Sequence, residues 1–491
     1  MKARHFFVLG AILLTGCTPV GPDYHLPEQS LFNAPAAQGS FVSRQTATNS
    51  GPSDSQWWQL YNDSSLTGFV QEAFVANTDL RIAVANLERS QALFALAQTG
   101  RQINGVANFD TSYVQQSAEA NLSHIKPPQH QIANTGIALN YDLDLFGGIR
   151  RGIEAAAADN EAAMAAHDLV RINVAADTTR AFADICNAGN ELKSALRTLD
   201  VQKKALTLTR TLFRNGRAAS FDIDRQQGLY DELEARIPAL QARQLNAAYR
   251  LTTLIGQPPE RYDRKLLKCN SPLKLISPIP TADGAALLRR RPDVNQAERH
   301  LAASTARIGV ATAELYPDIK LTASVGTQGA ITDLFSPLTN RFGVGPTIDW
   351  NVNTNVARAR IDAAQAQARA DLATFDRTIL IALRETETAL TNYAYDLDRL
   401  QHLKKARDRA LVVSNDSRKL WQGGNIDALA ALDAERSLAT AEQAYAAAET
   451  SLNTDQIALF LALGGGWQSI TPPPERTSQA NGPDEPTRHG T

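Results

Sequence analysis

Leu212-Phe213-Arg214-Asn215-Gly216 and Leu420-Trp421-Gln422-Gly423-Gly424 are two versions of one phrase, an apolar start running into a turn that closes on glycine. Ile255-Gly256 and Leu463-Gly464 repeat at the same interval, so both glycine pairs lie 208 positions apart (424 − 216, 464 − 256). A looser echo joins the stretch from Asp79-Leu80 to Ile103 with that from Asp293-Val294 to Pro317. A fixed interval marks a duplication, and recognising it first prevents a mistaken fold. Two copies do not make a solenoid. They predict one internally duplicated body, although 491 residues could fill two or three ordinary domains.

The segments that lead into these turns read as long helices. From about Arg150 to Phe213, and again from Asn355 to Trp421, the chain has no proline. It is rich in Ala, Leu, Gln and Arg, which lose little side-chain freedom in a helix. Each run predicts a rod of roughly 95–100 Å, far longer than an ordinary globular helix. The glycines at 216 and 424 are the expected left-handed stops. The chain then returns along Phe221 to Leu254 or Ala428 to Leu463, with Pro238 expected to kink the first return. Alanine runs such as Ala155 to Ala158 and Ala446 to Ala448 allow neighbouring backbones to approach closely. Charges are spread around the rods, so no one-sided apolar stripe is expected. A hollow helical tube, wet inside and out, accounts for that pattern.

Elsewhere the period changes to two. In Gln131 to Leu145 one face reads Ala133, Thr135, Ile137, Leu139, Tyr141, Leu143 and Leu145, the other Asn134, Gly136, Ala138, Asn140, Asp142 and Asp144. Ile103 to Gln115, Ile319 to Val325 and Arg341 to Asn353 alternate likewise. Each half therefore holds one long hairpin. Alternation alone also fits a half-buried hairpin in a soluble protein. The Asn, Asp, Arg and Lys carried along the polar faces favour a membrane strand instead, apolar toward lipid and polar toward a wet lumen. A sheet in lipid can leave no open edge. Four strands cannot close around a lumen, so the chain must pool them with copies of itself.

The N-terminus carries an export signal: Lys2 and Arg4, an apolar run from Phe6 to Leu14, then Leu14-Thr15-Gly16-Cys17. The last four residues resemble a bacterial lipobox, which makes Cys17 the lipidated first residue of the mature chain. Cys186 and Cys269 are the other two cysteines. An exported chain could oxidise them, but their positions in sequence do not place them together. The expected division is a signal peptide at 1–16, an extended arm at 17–62, helices at 63–102, a membrane hairpin at 103–146 and a helical hairpin at 147–256. A connector at 257–282 leads to helices at 283–316, a second membrane hairpin at 317–353, a second helical hairpin at 354–463 and a tail at 464–491. Trp57, Trp58 and Tyr61 are expected to pin the arm to the body.

Three further stretches complete the picture: Cys17-Thr18-Pro19-Val20-Gly21-Pro22-Asp23-Tyr24, Tyr141-Asp142-Leu143-Asp144-Leu145-Phe146-Gly147 and Arg290-Arg291-Pro292-Asp293-Val294. With Ala306-Arg307-Ile308-Gly309-Val310-Ala311 and Leu315-Tyr316-Pro317 they resemble the TolC-like outer-membrane efflux lipoproteins of the NodT type. The resemblance covers nearly the whole mature chain. It implies a homotrimer with a twelve-stranded outer-membrane β-barrel continuous with a periplasmic α-helical barrel. It also implies a passive exit duct for small toxic compounds, joined through a periplasmic adaptor protein to an inner-membrane transporter. The duct of a type I protein secretion system shares this plan, and a lipid-anchored scaffold without a pore is the alternative of a different class.

By the same resemblance the adaptor-contacting tips are Asn215-Gly216-Arg217 and Gly423-Gly424-Asn425. The periplasmic gate falls on Leu429, Asp433 and Arg436, with Asp222 holding the closed state. Trp421 stands where relatives have a tyrosine. Two positions depart from the pattern: Ala430 replaces a second acidic gate residue, and Asn353-Thr354-Asn355 replaces a glycine-rich strand exit. Asp433 could equally pair with Arg436 on its own helix face.

No nucleophile elbow, Walker loop or dinucleotide glycine pattern occurs, so no enzyme is expected, and no cofactor or metal. His124 and His130 share a loop but read as surface residues. A net charge of −2 gives no reason to expect a nucleic-acid partner. Outer-membrane lipid is the expected surrounding.

Overall fold

The structure, a computed structural model, describes residues 18–43, 48–50, 56–119, 122, 124–281 and 283–465. The expected signal peptide, Cys17 and the tail beyond residue 465 lie outside the described residues.

The arm contains a short helix, α1 (Pro35–Gln38), and strand β1 (Thr48–Ser50). The first half then runs α2 (Ser64–Ala76), α3 (Thr78–Thr99), β2 (Asn104–Val114), β3 (His130–Asp142), α4 (Gly148–Arg214) and α5 (Ser220–Leu254). A connector carries β4 (Ile279–Thr281), which pairs in parallel with β1. The second half is α6 (Gly284–Arg290), α7 (Pro292–Ala313), β5 (Asp318–Ala330), β6 (Asn340–Asp349), α8 (Asn355–Gln422) and α9 (Ala428–Ala462). The duplication is thus visible element for element.

The two long-helix ends are built alike. Arg217 N donates to Leu212 O at 2.8 Å and Gly216 N to Phe213 O at 2.9 Å. At the other end Asn425 N donates to Leu420 O at 2.8 Å and Gly424 N to Trp421 O at 2.9 Å. With φ of +70° at Gly216 and +72° at Gly424, both are Schellman stops that satisfy the last carbonyls. A side chain at either glycine would strain this left-handed backbone. Helix α5 continues through Pro238, which does not end it.

Helix α4 has 67 residues and is about 100 Å long. Its first part packs beside α3 and α7, its second beside α5 and α9, while α8 lies against α7 and then α9. As expected, α4 has no one-sided apolar stripe along its length: residues 174–176, 178, 179, 181–183 and 185–189 are buried around the whole circumference. Only nearer the strands does a seam appear, with Ala155, Ala158, Ala162 and Ala165 buried in alternating steps of three and four. That is a coiled-coil spacing, hidden from hydropathy because this short seam is alanine instead of leucine.

The largest core cluster joins both halves: Phe182, Ile185 and Leu251 meet Leu390, Ile457 and Phe460. Trp57, fully buried, stacks on Phe460 with ring centroids 4.6 Å apart, and Trp58 and Tyr61 are buried beside it. Such a pair contributes about 0.5–1.5 kcal/mol beyond its buried area. The aromatic cluster does tie the arm to the body.

The long strands form one antiparallel sheet in the order β2-β3-β5-β6. Ile137 faces Val325 and Val325 faces Phe342, so the odd positions of β3 and β5 share a face with the even positions of β6. Among the described residues the outer edges of β2 and β6 have no strand partner. Strand β3 stops at Asp142, before the expected Leu145. Asp144 turns out at φ +39° and accepts from Ile149 N at 2.8 Å and Arg150 N at 2.9 Å. It caps α4 and does not line the strand face, as the alternation had implied. No described helix is long and apolar enough to cross a membrane.

Candidate functional site

The sheet has two unlike faces. One displays Phe109, Ile137, Val325, Phe342 and Ile348 to the outside, with Val325 62% and Phe342 88% exposed. Exposed apolar surface this continuous is foreign to a water-facing sheet. The other face carries a polar ladder. Asn134 Nδ2 donates to Asp110 Oδ1 at 2.9 Å, and Arg341 Nη2 donates to Asn134 Oδ1 at 2.7 Å. Nearer the helices Lys320 Nζ lies 2.5 Å from Asp318, with Asp142 opposite Lys320 and Asp349 opposite Asp318.

At the far end of the helices all six tip residues, Asn215, Gly216, Arg217, Gly423, Gly424 and Asn425, are exposed. Asp427 starts α9 by accepting from Ala430 N at 2.7 Å. Leu429 and Trp421 are each about half exposed and Asp433 is 74% exposed. Arg436 Nη1 donates to Asp433 Oδ1 at 3.4 Å. A pair so open to water contributes about 0–1 kcal/mol, too little to fix Asp433 in place. Arg436 Nη2 also reaches Gln226 Oε1 on α5 at 3.4 Å, and Gln202 Nε2 on α4 donates to the same oxygen at 2.8 Å. This relay brings the two helical hairpins together. Gln202 and Gln226 were invisible in the sequence, since glutamine in a helix is unremarked until burial is known.

Asp222 accepts from Ala219 N at 3.1 Å and pairs with Arg225 at 3.3 Å. Its contacts within the chain are those of a helix cap. Near the C-terminal end of α9, burial and then the Asp396 carboxylate push the Asp455 carboxyl up to about 7.

The stretches that carried the resemblance meet at the strand-to-helix junction and just above the core. Buried Arg151 donates through Nε to Val20 O and through Nη2 to Gly21 O, both at 3.1 Å. The same Nη2 donates to Asp23 at 2.7 Å, and Val20 N donates to Phe146 O at 3.0 Å. The Tyr24 hydroxyl donates to Glu298 at 3.1 Å. Arg291 donates to both oxygens of Asp293, to Glu385 at 2.8 Å and to Ala462 O at 3.0 Å. These residues strap the arm and the end of α9 to the body. Within the chain their contacts hold the fold.

The profile of the family described as "Outer membrane efflux protein" matches residues 69–257 and again 285–465, one match per half. Nodulation protein T of Rhizobium leguminosarum bv. trifolii is 27% identical over 464 residues, 94% of this chain and 97% of the relative. The toluene efflux pump outer membrane protein TtgC of Pseudomonas putida is 27% identical over 481 residues, 96% of each. Among solved structures, the outer-membrane channel OprN superposes with a TM-score of 0.82 at 31% identity, over 92% of this chain and all of that one. The chain belongs to the outer membrane efflux protein family.

Proposed function

We propose that three copies of this chain close into one duct, passive and gated, through which an efflux pump passes small toxic compounds across the outer membrane. One observation carries this reading. A sheet apolar outside and polar inside, open at both edges, runs directly into helices of about 100 Å. Three four-stranded sheets supply twelve strands, enough for a ring with a wet lumen. The helices then extend the passage through the periplasm toward an adaptor and an inner-membrane transporter, with the exposed tips as the meeting surface. The toluene pump component TtgC supports apolar toxicants as the cargo class. The lipobox supports an acyl anchor at Cys17. The chain itself performs no catalysis, and the transporter supplies the energy.

At the periplasmic end, Leu429 side chains narrow the passage and favour dewetting, while Asp433 side chains around the axis gather cations and repel anions. Planar bilayers test the reading. The purified protein gives ion-conducting steps, and Leu429→Ala with Asp433→Ala raises the conductance and lowers its cation preference. In cells the double variant is several-fold more sensitive to vancomycin at an unchanged protein level. No conductance from either protein would instead support a scaffold without a pore.

Cys17→Ser removes the acyl chains, each buried CH₂ of which contributes about 0.8 kcal/mol of anchoring. The strands still hold the protein, so fractionation recovers most of it in the outer membrane. Complete loss from the envelope would contradict a spanning barrel.

A further inference from the structure

The connector between the halves has little regular structure, yet it crosses the middle of the body along a fixed path. It leaves α5 and joins α4 through the Cys186–Cys269 disulfide. At that crossing Gln244 Nε2 of α5 faces three carbonyl oxygens: Ile185 at 3.3 Å, Leu267 at 3.1 Å and Cys269 at 3.3 Å. Gly189 of α4 passes so close that any side chain there would collide with the Cys269 carbonyl oxygen. The connector then buries Leu273 in the core shared by both halves, and residues 272–278 line a cavity of about 470 Å³ with Tyr393 of α8 and Tyr445 of α9. Ile276 N donates to Leu60 O at 3.0 Å, and β4 pairs with β1. One segment therefore touches α4, α5, α8, α9 and the arm.

We propose that this connector is a belt fastened by oxidation, and that copies assemble efficiently into the channel only once it is fastened. Cys186 is fully buried, beneath the connector, and Cys269 is only partly so. A donor therefore meets Cys269 first, and Cys186 is oxidised only through it. Until the bond forms, packing and hydrogen bonds alone hold the connector across α4, α5, α8 and α9, the helices whose relative placement must be set before copies fit together. The partner is a disulfide donor of the periplasm, protein or low-molecular-weight. The Cys269 thiolate attacks the donor disulfide and releases one donor thiolate. The Cys186 thiolate then attacks the Cys269 sulfur of the mixed disulfide and displaces the second. Two thiols lose two protons and two electrons, and the donor becomes a dithiol. After closure the core covers the Cys186 sulfur, while the Cys269 sulfur is only partly covered.

The test uses the full-length protein in its own membrane. Without reductant, the tryptic peptides of Cys186 and Cys269 run as one linked species, and reduction separates them. In a pulse-chase with thiol trapping, the linkage appears before the detergent-resistant assembled species. Gly189→Ala, which holds the connector off α4, leaves several-fold more free thiol at both cysteines. Cys186→Ala with Cys269→Ala lowers the assembled fraction several-fold, even where the chain is exported normally. Free thiols at both cysteines of the wild-type channel would overturn the proposal, as would an assembled species that forms first and is oxidised later. Conductance from a channel lacking the linkage would remove the belt while leaving the duct intact, so the two ideas fail separately.

Discussion

Val325→Arg is expected to empty the outer membrane of this protein, while Ser324→Arg, one residue away, leaves it in place. Val325 lies near the middle of β5, opposite Ile137 on one side and Phe342 on the other, and projects from the exposed apolar face. Arginine at the midplane of a bilayer costs about 2–4 kcal/mol in a β-barrel. The cost is incurred once per copy and so triples in a trimeric ring. Ser324 pairs with Ala138 and Gly343 on the polar face, where a guanidinium meets water and small neighbours. Immunoblots of membrane fractions and of the assembled species distinguish the two. Equal insertion of both variants would mean that the faces do not look in these directions.

The second large effect is expected at Arg291. Its side chain is nearly buried, and burial alone pushes its pKa down, but the bonds to Asp293 and Glu385 outweigh that and hold it above the ordinary value. It also ties the Ala462 carbonyl at the end of α9 to the start of α7. Arg291→Ala leaves Asp293 and Glu385 without this donor, and leaves the Ala462 carbonyl only the Thr386 hydroxyl at 3.4 Å. Removing one partner of a fully buried ion pair costs about 3–5 kcal/mol; here Glu385 is 43% and Asp293 21% exposed, so water offsets part of that cost. Thermal unfolding in detergent should show a much lower melting temperature and fewer assembled copies. Arg291→Lys keeps the charge but lacks the fork that serves four acceptor atoms, so it restores only part of the loss. A melting temperature unchanged in Arg291→Ala would show that the end of α9 is held without this arginine.

Much of this architecture could be read before any coordinates, because its signals are local. Glycine at 216 and 424 ends a helix by backbone conformation, and strand alternation from Gln131 is a property of successive residues. What stayed hidden depends on contacts between distant segments. Cys186 and Cys269 are 83 positions apart, and only the path of the connector brings them together. The short α4 seam was missed because Ala155, Ala158 and Ala162 carry no apolar bulk for a periodicity to register. Asp144 looked like one more polar strand residue, since nothing local distinguishes lining a lumen from capping the helix that follows. Gln226 needed its burial and Arg436 beside it to acquire a role. The strap residues around Arg151 were visible as motifs, but their work is structural, and a motif does not say which kind of work it does.

The most direct test of the central claim is the mass of the protein extracted in mild detergent, measured by native mass spectrometry. Open sheet edges in hydrocarbon require copies to complete one another, so the spectrum should show three chains and no stable monomer. A single chain that stays folded and dissolves without detergent once its acyl chains are removed would contradict the account.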